Sequence, residues 1–283
     1  LRAKAISGRP PRLDGKQLRW LYKAITTKSP LQYRFEFALW TRSMVRDLIR
    51  ERFGVQLSDV SVGRLLKKLG LSPQKPLRRA YEQDSELVKS WLAEDFPKIQ
   101  ALAKKARATL YFSDEAGVRS DFHAGTTWAV KGKTPVVEAT GQRYGMNIIS
   151  AISPRGDMRF MTVEGRMNAG KFIEFLKRLL HNAKRPVFLI VDGHPSHRAR
   201  KVFEFVRKTK GKLRLFFLPP YSPELNPDEL VWNHLKNHGV GKRIVKSREE
   251  LKRVVIGHLR YLQKTPDLVR AFFRERHVRY VLA

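Results

Sequence analysis

Hydrophobic period first departs from helical spacing near Ala108, and that change narrows the possible folds more than any other feature. Upstream of it, apolar residues recur at helical spacing; downstream, short alternating runs are interleaved with helices. ATLYFSDEAG (108–117), TTWAVKG (126–132), NIISAIS (147–153) and MRFMTVEG (158–165) have the length and alternation of strands. NAGKFIEFLKRLLHNA (168–183) returns to helical spacing, with Phe172, Phe175, Leu176 and Leu179 on one side. VFLIV (187–191) is an unbroken apolar run, as in a strand buried on both faces. A helix over 197–208, a strand over 213–218 and a helix over 227–239 complete the block. Strands followed by alternating helices and strands predict an α/β sheet covered on both faces.

The front of the chain is all-helical. GKQLRWLYKAI (15–25) and RSMVRDLIRERF (42–53) read as amphipathic helices, the second with Val45, Leu48 and Ile49 on one face and Gly54 as its stop. Ser58-Asp59 offers an N-cap to SVGRLLKKLG (61–70), where Val62, Leu65, Leu66 and Leu69 share a face and Gly70 closes the helix. Arg64, Lys67 and Lys68 fall on the opposite face. Short helices with a basic last one describe a helix-turn-helix; an ordinary helical subdomain with a solvated face has the same pattern. Ahead of them, Gly8-Arg9-Pro10 followed by Arg12 forms a narrow AT-hook-like element for a minor groove, or a plain Pro-rich linker. LSPQKPLRRAYE (71–82) reads as an inter-domain linker, and a helix from Asp84 to Lys105 follows, kinked or restarted at Pro97.

Charge says what such a chain meets. Lys and Arg number 57 against 26 Asp and Glu, a formal net charge of +31, which calls for a polyanionic partner, nucleic acid first. Residues 1–80 hold 19 basic and 5 acidic side chains, and residues 230–283 hold 13 and 4, so acids in the centre are conspicuous. The absence of Cys excludes a disulfide scaffold and thiolate zinc sites, and fits a reducing compartment. No apolar run has a bilayer's length and no signal-peptide pattern opens the chain, so the expected location is cytoplasmic, on DNA.

Three central carboxylates stand at strand ends and helix starts, where open α/β sheets place their sites: Asp114, Asp192 and Glu229. Clustered carboxylate oxygens suit Mg²⁺, and two such ions can activate a water or a 3′-hydroxyl against a phosphodiester. Each also has a structural alternative. Asp114 and Asp192-Gly193 are turn formers, and Asn226, Pro227 and Glu229 have the residue types of a capping box. Asp228 would merely favour the helix dipole. His194 and His197 stand beside Asp192, where an imidazole orients a carboxylate or touches a phosphate, or lies on the surface.

The run Leu218-Pro219-Pro220-Tyr221-Ser222-Pro223-Glu224-Leu225-Asn226-Pro227-Asp228-Glu229 resembles the third-carboxylate motif of mariner-type DDE transposases, in their bacterial insertion-sequence branch. FSDEAG and VDGHPSH resemble the other two, with 77 residues between Asp114 and Asp192 and 36 between Asp192 and Glu229. The resemblance implies a ribonuclease-H-like mixed sheet with flanking helices over 84–283, ending in a basic helical tail. It implies a helix-turn-helix or winged-helix DNA-binding region over 15–70, a basic linker over 1–14 and a second linker over 71–83. Because the Gly-Arg-Pro element sits where the family joins its two DNA-binding subdomains, the resemblance further implies an upstream helical subdomain. The activity implied is a cut-and-paste transposase with two Mg²⁺ (Mn²⁺ substituting) that binds terminal inverted repeats and joins them to TA target DNA, as a homodimer on DNA. A derived DNA-binding protein without catalysis, or a nuclease of the same fold without strand transfer, are the alternatives.

Overall fold

The computed structural model describes residues 11–74, 80–123, 128, 130–133, 135–136 and 140–283. The Gly-Arg-Pro element with Arg9 lies outside them, as does much of the strand expected over 126–132; the described residues of that stretch, 128 and 130–132, belong to no strand. The chain divides into two compact units, Leu1–Arg78 and Arg79–Ala283.

In the first unit, helix α1 (Gly15–Thr27) starts from an Asp14–Gln17 capping box. Helix α2 (Arg42–Phe53) starts on the Thr41 hydroxyl and stops at Gly54, whose φ of 67° lies in the left-handed region. Helix α3 (Asp59–Lys68) is capped by Ser58. It closes as the Gly70 and Leu71 amides donate to the carbonyls of Lys67 and Leu66, a Schellman ending. Leu21, Val45, Leu48, Ile49 and Val62 form the small core. Arg64, Lys67 and Lys68 are exposed on α3, and the Arg12 guanidinium donates to the Gln56 carbonyl at 2.7 Å.

The second unit begins with helix α4 (Ser85–Ser90), which runs through a π turn (Trp91–Asp95) into α5 (Phe96–Lys105). The expected interruption at Pro97 takes this form because proline has no N–H for the preceding turn; the Phe96 amide instead reaches Trp91. The sheet consists of β1 (Thr109–Arg119), β2 (Gly145–Ile152), β3 (Met158–Val163), β4 (Val187–Val191) and β5 (Leu213–Phe217). Its order is β3-β2-β1-β4-β5. The pairs among β1, β2 and β3 are antiparallel, whereas β4 lies parallel to both β1 and β5. This is the ribonuclease-H-like mixed sheet. Helices α6 (Ala169–Leu180) and α7 (Arg200–Lys208) cover one face, packing Phe172, Phe175, Leu176 and Val202 on Ile149, Leu189 and Val191. The other face, with Phe112, Ile148 and Ile190, is covered by α5, α8 (Glu229–His234), α9 (Arg248–Gln263) and α10 (Pro266–Phe272). The basic tail is therefore a core-forming cover: Leu251, Val255, Leu259, Leu262 and Val269 are buried beneath its charges.

Candidate active site

Strands β1 and β4 run parallel and stay paired as far as Phe112 and Ile190. Asp192 directly follows β4, whereas Asp114 lies midway along β1, not at the strand end expected from sequence. It sits two residues past the last pair with β4, so both carboxylates emerge where the parallel pairing stops. Glu229 reaches the same place from the other direction. After β5 the Leu218 amide donates to the Val191 carbonyl at 2.8 Å, and a 3₁₀ turn (Pro223–Leu225) redirects the chain. The Asn226 side-chain amide then donates to the Ser113 carbonyl at 3.1 Å, while its Oδ1 accepts from the Asp228 amide at 3.2 Å. The expected capping box is absent. Helix α8 begins only at Glu229 and has no side-chain cap at Asp228; Asn226 lies one turn earlier, its Oδ1 holding the Asp228 amide and its side-chain amide group stapling the turn to β1.

The geometry also corrects the reading of Asp228. It is fully buried, not a solvated helix-dipole residue, and the Ser150 hydroxyl lies 2.8 and 2.7 Å from its two oxygens. Ser150 is the cross-strand partner of Asp114. Burial pushes the Asp228 carboxyl well above its ordinary range, and Asp114 and Glu229 add to the rise.

Asp114 and Asp192 have opposite electrostatic surroundings. Burial pushes Asp114 up to about 8, helped by Glu229, Glu115 and Asp192; only the Trp232 indole N–H, donating at 2.9 Å, favours its charge. Glu229 is likewise raised by burial, against the pull of Lys236 and a hydrogen bond with Asp114. Burial also opposes ionisation of Asp192, but His197 and the His194 amide outweigh it and hold this carboxyl below its ordinary range. The His197 ring is 1% exposed and is bracketed by Asp192 Oδ1 at 2.9 Å and Glu115 Oε1 at 2.6 Å. Burial disfavours its charge, yet the two carboxylates prevail and raise it to about 9. Both ring nitrogens of the imidazolium therefore donate.

The two histidines thus part company. His197 is buried and holds Asp192; His194 is exposed, touches Asp192 only through its backbone amide, and turns its ring to the Ser196 hydroxyl at 2.6 Å. Glu115, Ser150 and Trp232 complete the arrangement, although none was a sequence-derived candidate. Strand alternation does send Glu115 to the face opposite Asp114, where it meets His197.

Asp114, Asp192 and Glu229 line one cleft of about 520 Å³ together with Arg198 and Tyr221. Crowding and burial hold back the ionisation of Asp114 and Glu229, and a hard divalent cation beside their oxygens would relieve that. Among the described residues, the atoms of Glu115, Asp192 and His197 also lie within 4.8 Å of one another. There the imidazolium already fills the cation's place.

Residues 109–252, half of the chain, match the model of the DDE superfamily endonucleases. The chain belongs to the DDE superfamily endonucleases. Residues 36–95 match a winged helix-turn helix model. Over 241 residues it is 24% identical to the 39 kDa protein of insertion element IS630 from Shigella sonnei, a match covering 78% of this chain and 66% of that protein. The chain thus spans just under two thirds of that relative's length. Among solved structures, the mariner Mos1 paired end complex with Mg has a TM-score of 0.59 at 15% identity, covering 99% of this chain and 82% of that one. The Mos1 strand transfer complex has a TM-score of 0.58 at 16% identity, covering 99% and 81%. These likenesses are of fold. No described helix is long and apolar enough to cross a membrane.

Proposed function

We propose that this DDE endonuclease is a cut-and-paste DNA transposase whose catalytic residues are Asp114, Asp192 and Glu229. The observation that carries the reading is the convergence of these carboxylates on one cleft, in a chain with a basic, exposed helix α3. The fold likeness to a Mos1 complex with paired ends and Mg, and to one named for strand transfer, supports it. Asp114, Asp192 and Glu229 would hold two Mg²⁺, or Mn²⁺. Bound there, the ions would supply Lewis-acid stabilisation to the attacking and leaving oxygens of a phosphodiester. The rest of the work falls to the chain. Trp232 fixes the orientation of Asp114, and His197 fixes that of Asp192.

Arg64, Lys67 and Lys68, with Arg9 and Arg12 ahead of them, would hold the terminal inverted repeat, within a DNA-binding domain over 15–70 joined by linkers 1–14 and 71–83. Residues 84–283 would form the catalytic domain. Element ends cut by hydrolysis would be joined through their 3′-hydroxyls to TA target DNA, whose step deforms easily. Holding two ends together calls for a homodimer on DNA.

Glu229→Gln tests the assignment, since the amide keeps the side chain's shape and loses its charge. Cleavage of repeat-bearing DNA in Mg²⁺ is expected to disappear while the circular-dichroism spectrum and melting temperature stay near wild type. Cleavage by this variant at the wild-type rate refutes the catalytic role. A precleaved end that is never joined to a TA-containing duplex would mark a nuclease instead.

A further inference from the structure

Arg198 lines the carboxylate cleft beside Asp192, Gly193 and His194, and it also lines a second, adjoining cleft of about 490 Å³ with Arg200, Phe203, Glu204 and Arg207. Its guanidinium lies over the Phe217 ring, 4.5 Å from the centroid. The Phe217 centroid is 6.2 Å from that of Phe203. On α7, Phe203 sits three residues after Arg200 and four before Arg207, so the three share a face. Phe203 is 47% exposed, whereas its neighbour Val202 supplies the buried contact with the sheet. The core does not explain a large exposed ring among arginines. The one acid in the cleft, Glu204, is paired with Arg200 at 2.8 Å. Arg198 and Arg207 remain to face an anion.

We propose that Phe203, flanked by Arg207 and by Arg198 held over the Phe217 ring, is a platform for unpaired nucleotides of a DNA strand leaving the carboxylate cleft. The proposal rests on the DNA-cleaving reading above and adds to it where the strand runs. Guanidiniums interleaved with aromatic rings recognise single strands without regard to sequence: bases stack on the rings and phosphates meet the charges. A duplex offers base faces only at its ends, so an exposed ring among arginines selects unpaired over paired DNA.

The test uses the full chain without divalent ions, so that no cutting occurs, and fluorescence anisotropy on a duplex with and without a short unpaired tail. Wild type is expected to bind the tailed duplex at least about fivefold more tightly than the blunt one. Phe203→Ala should bring that ratio to about one and Phe203→Trp should keep it, with blunt-duplex binding equal in all three. A 2-aminopurine placed in the tail should lose fluorescence on wild type and not on Phe203→Ala, as stacking requires. A ratio near one for wild type, or a full ratio in Phe203→Ala, overturns the platform. So does competition by polyglutamate equal to that of oligo-thymidylate, which would assign the cleft to acidic peptide. Wild-type cleavage in Mg²⁺ is scored separately: no cleavage with the tail preference intact refutes the transposase reading and leaves the platform standing.

Discussion

A carboxylate at the edge of a buried sheet keeps its charge only if something compensates it, and here the compensation is built from side chains remote in sequence. His197 lies 82 residues from Glu115, and the imidazolium between Glu115 and Asp192 satisfies both. Its removal would leave two carboxylates facing each other across a vacated, poorly solvated space. His197→Ala is therefore expected to lower Mg²⁺-dependent cleavage roughly 10- to 100-fold, and to shift half-saturation to higher Mg²⁺. A Mg²⁺ titration of the cleavage rate checks it. A lowered rate with unchanged half-saturation would mean that His197 acts on the fold alone. Ser150 plays a different part. Its hydroxyl lies within hydrogen-bonding distance of both oxygens of the fully buried Asp228, so Ser150→Ala leaves that carboxyl in a dry site with the Asp114 backbone amide as its remaining donor. The expected cost is roughly 1–3 kcal/mol in urea unfolding, and a change below a few tenths would show that water takes the hydroxyl's place.

Packing between elements makes two further demands. The turn joining β2 and β3 rests on the start of α10: Gly156 has φ 91°, and a Cβ there would stand 2.6 Å from the Pro266 carbonyl oxygen. Gly211 has a similar φ of 87° with open space around it. Gly211→Ala should thus cost about 1 kcal/mol of backbone strain, and Gly156→Ala distinctly more, since a backbone atom must also move. Equal melting temperatures for the two variants would refute the clash. The second demand is a histidine contact between α8 and α9, where His234 Nδ1 lies 2.9 Å from His258 Nε2. Burial pushes His258 down to about 4 from an ordinary 6.5, with His234, His238 and Arg243 adding to it. Arg253, Glu250 and Tyr261 line the same cleft. Because the folded value is depressed, the stability is complete above 6.5 and is lost as pH falls from there toward 4. For this half-exposed ring the loss should be of order 1 kcal/mol, and His258→Gln should flatten it in a pH series of melting curves.

What could be read in advance divides along the same line. VFLIV matches β4 residue for residue, because a strand buried on both faces shows in its composition alone. The sequence places the start of α8 two residues early: Asn226 does hold the Asp228 amide as an N-cap would, but its side-chain amide group is tied to a carbonyl 113 positions away and the helix forms only from Glu229. Glu115 was legible as facing away from Asp114, but nothing local names His197 as its partner.

At the scale of the molecule, the +31 charge is divided by use. In the tail, basic residues ride on helices whose other faces close the sheet, so their charge is inseparable from the fold. In the front unit the helices have their own small core, and Arg64, Lys67 and Lys68 stand on α3 free of any ion pair among the described residues. Asp59, the one acid on α3, is taken instead by Arg46 of α2 at 2.9 Å. A helix face with cations left over and its acid neutralised is arranged for an external polyanion. Each phosphate such a cation meets releases counterions, contributing about 0.9 to the slope of log affinity against log salt. Replacing all three by Ala should lower the magnitude of that slope by about 2–3 on repeat-bearing duplex, with the largest loss of affinity at low salt. Helix α3 should survive, because its buried Val62, its Ser58 cap and its Gly70 ending are untouched. Anisotropy titrations over a salt series, with circular dichroism as the control for folding, decide it. A folded variant with the wild-type slope would place duplex binding elsewhere on the chain.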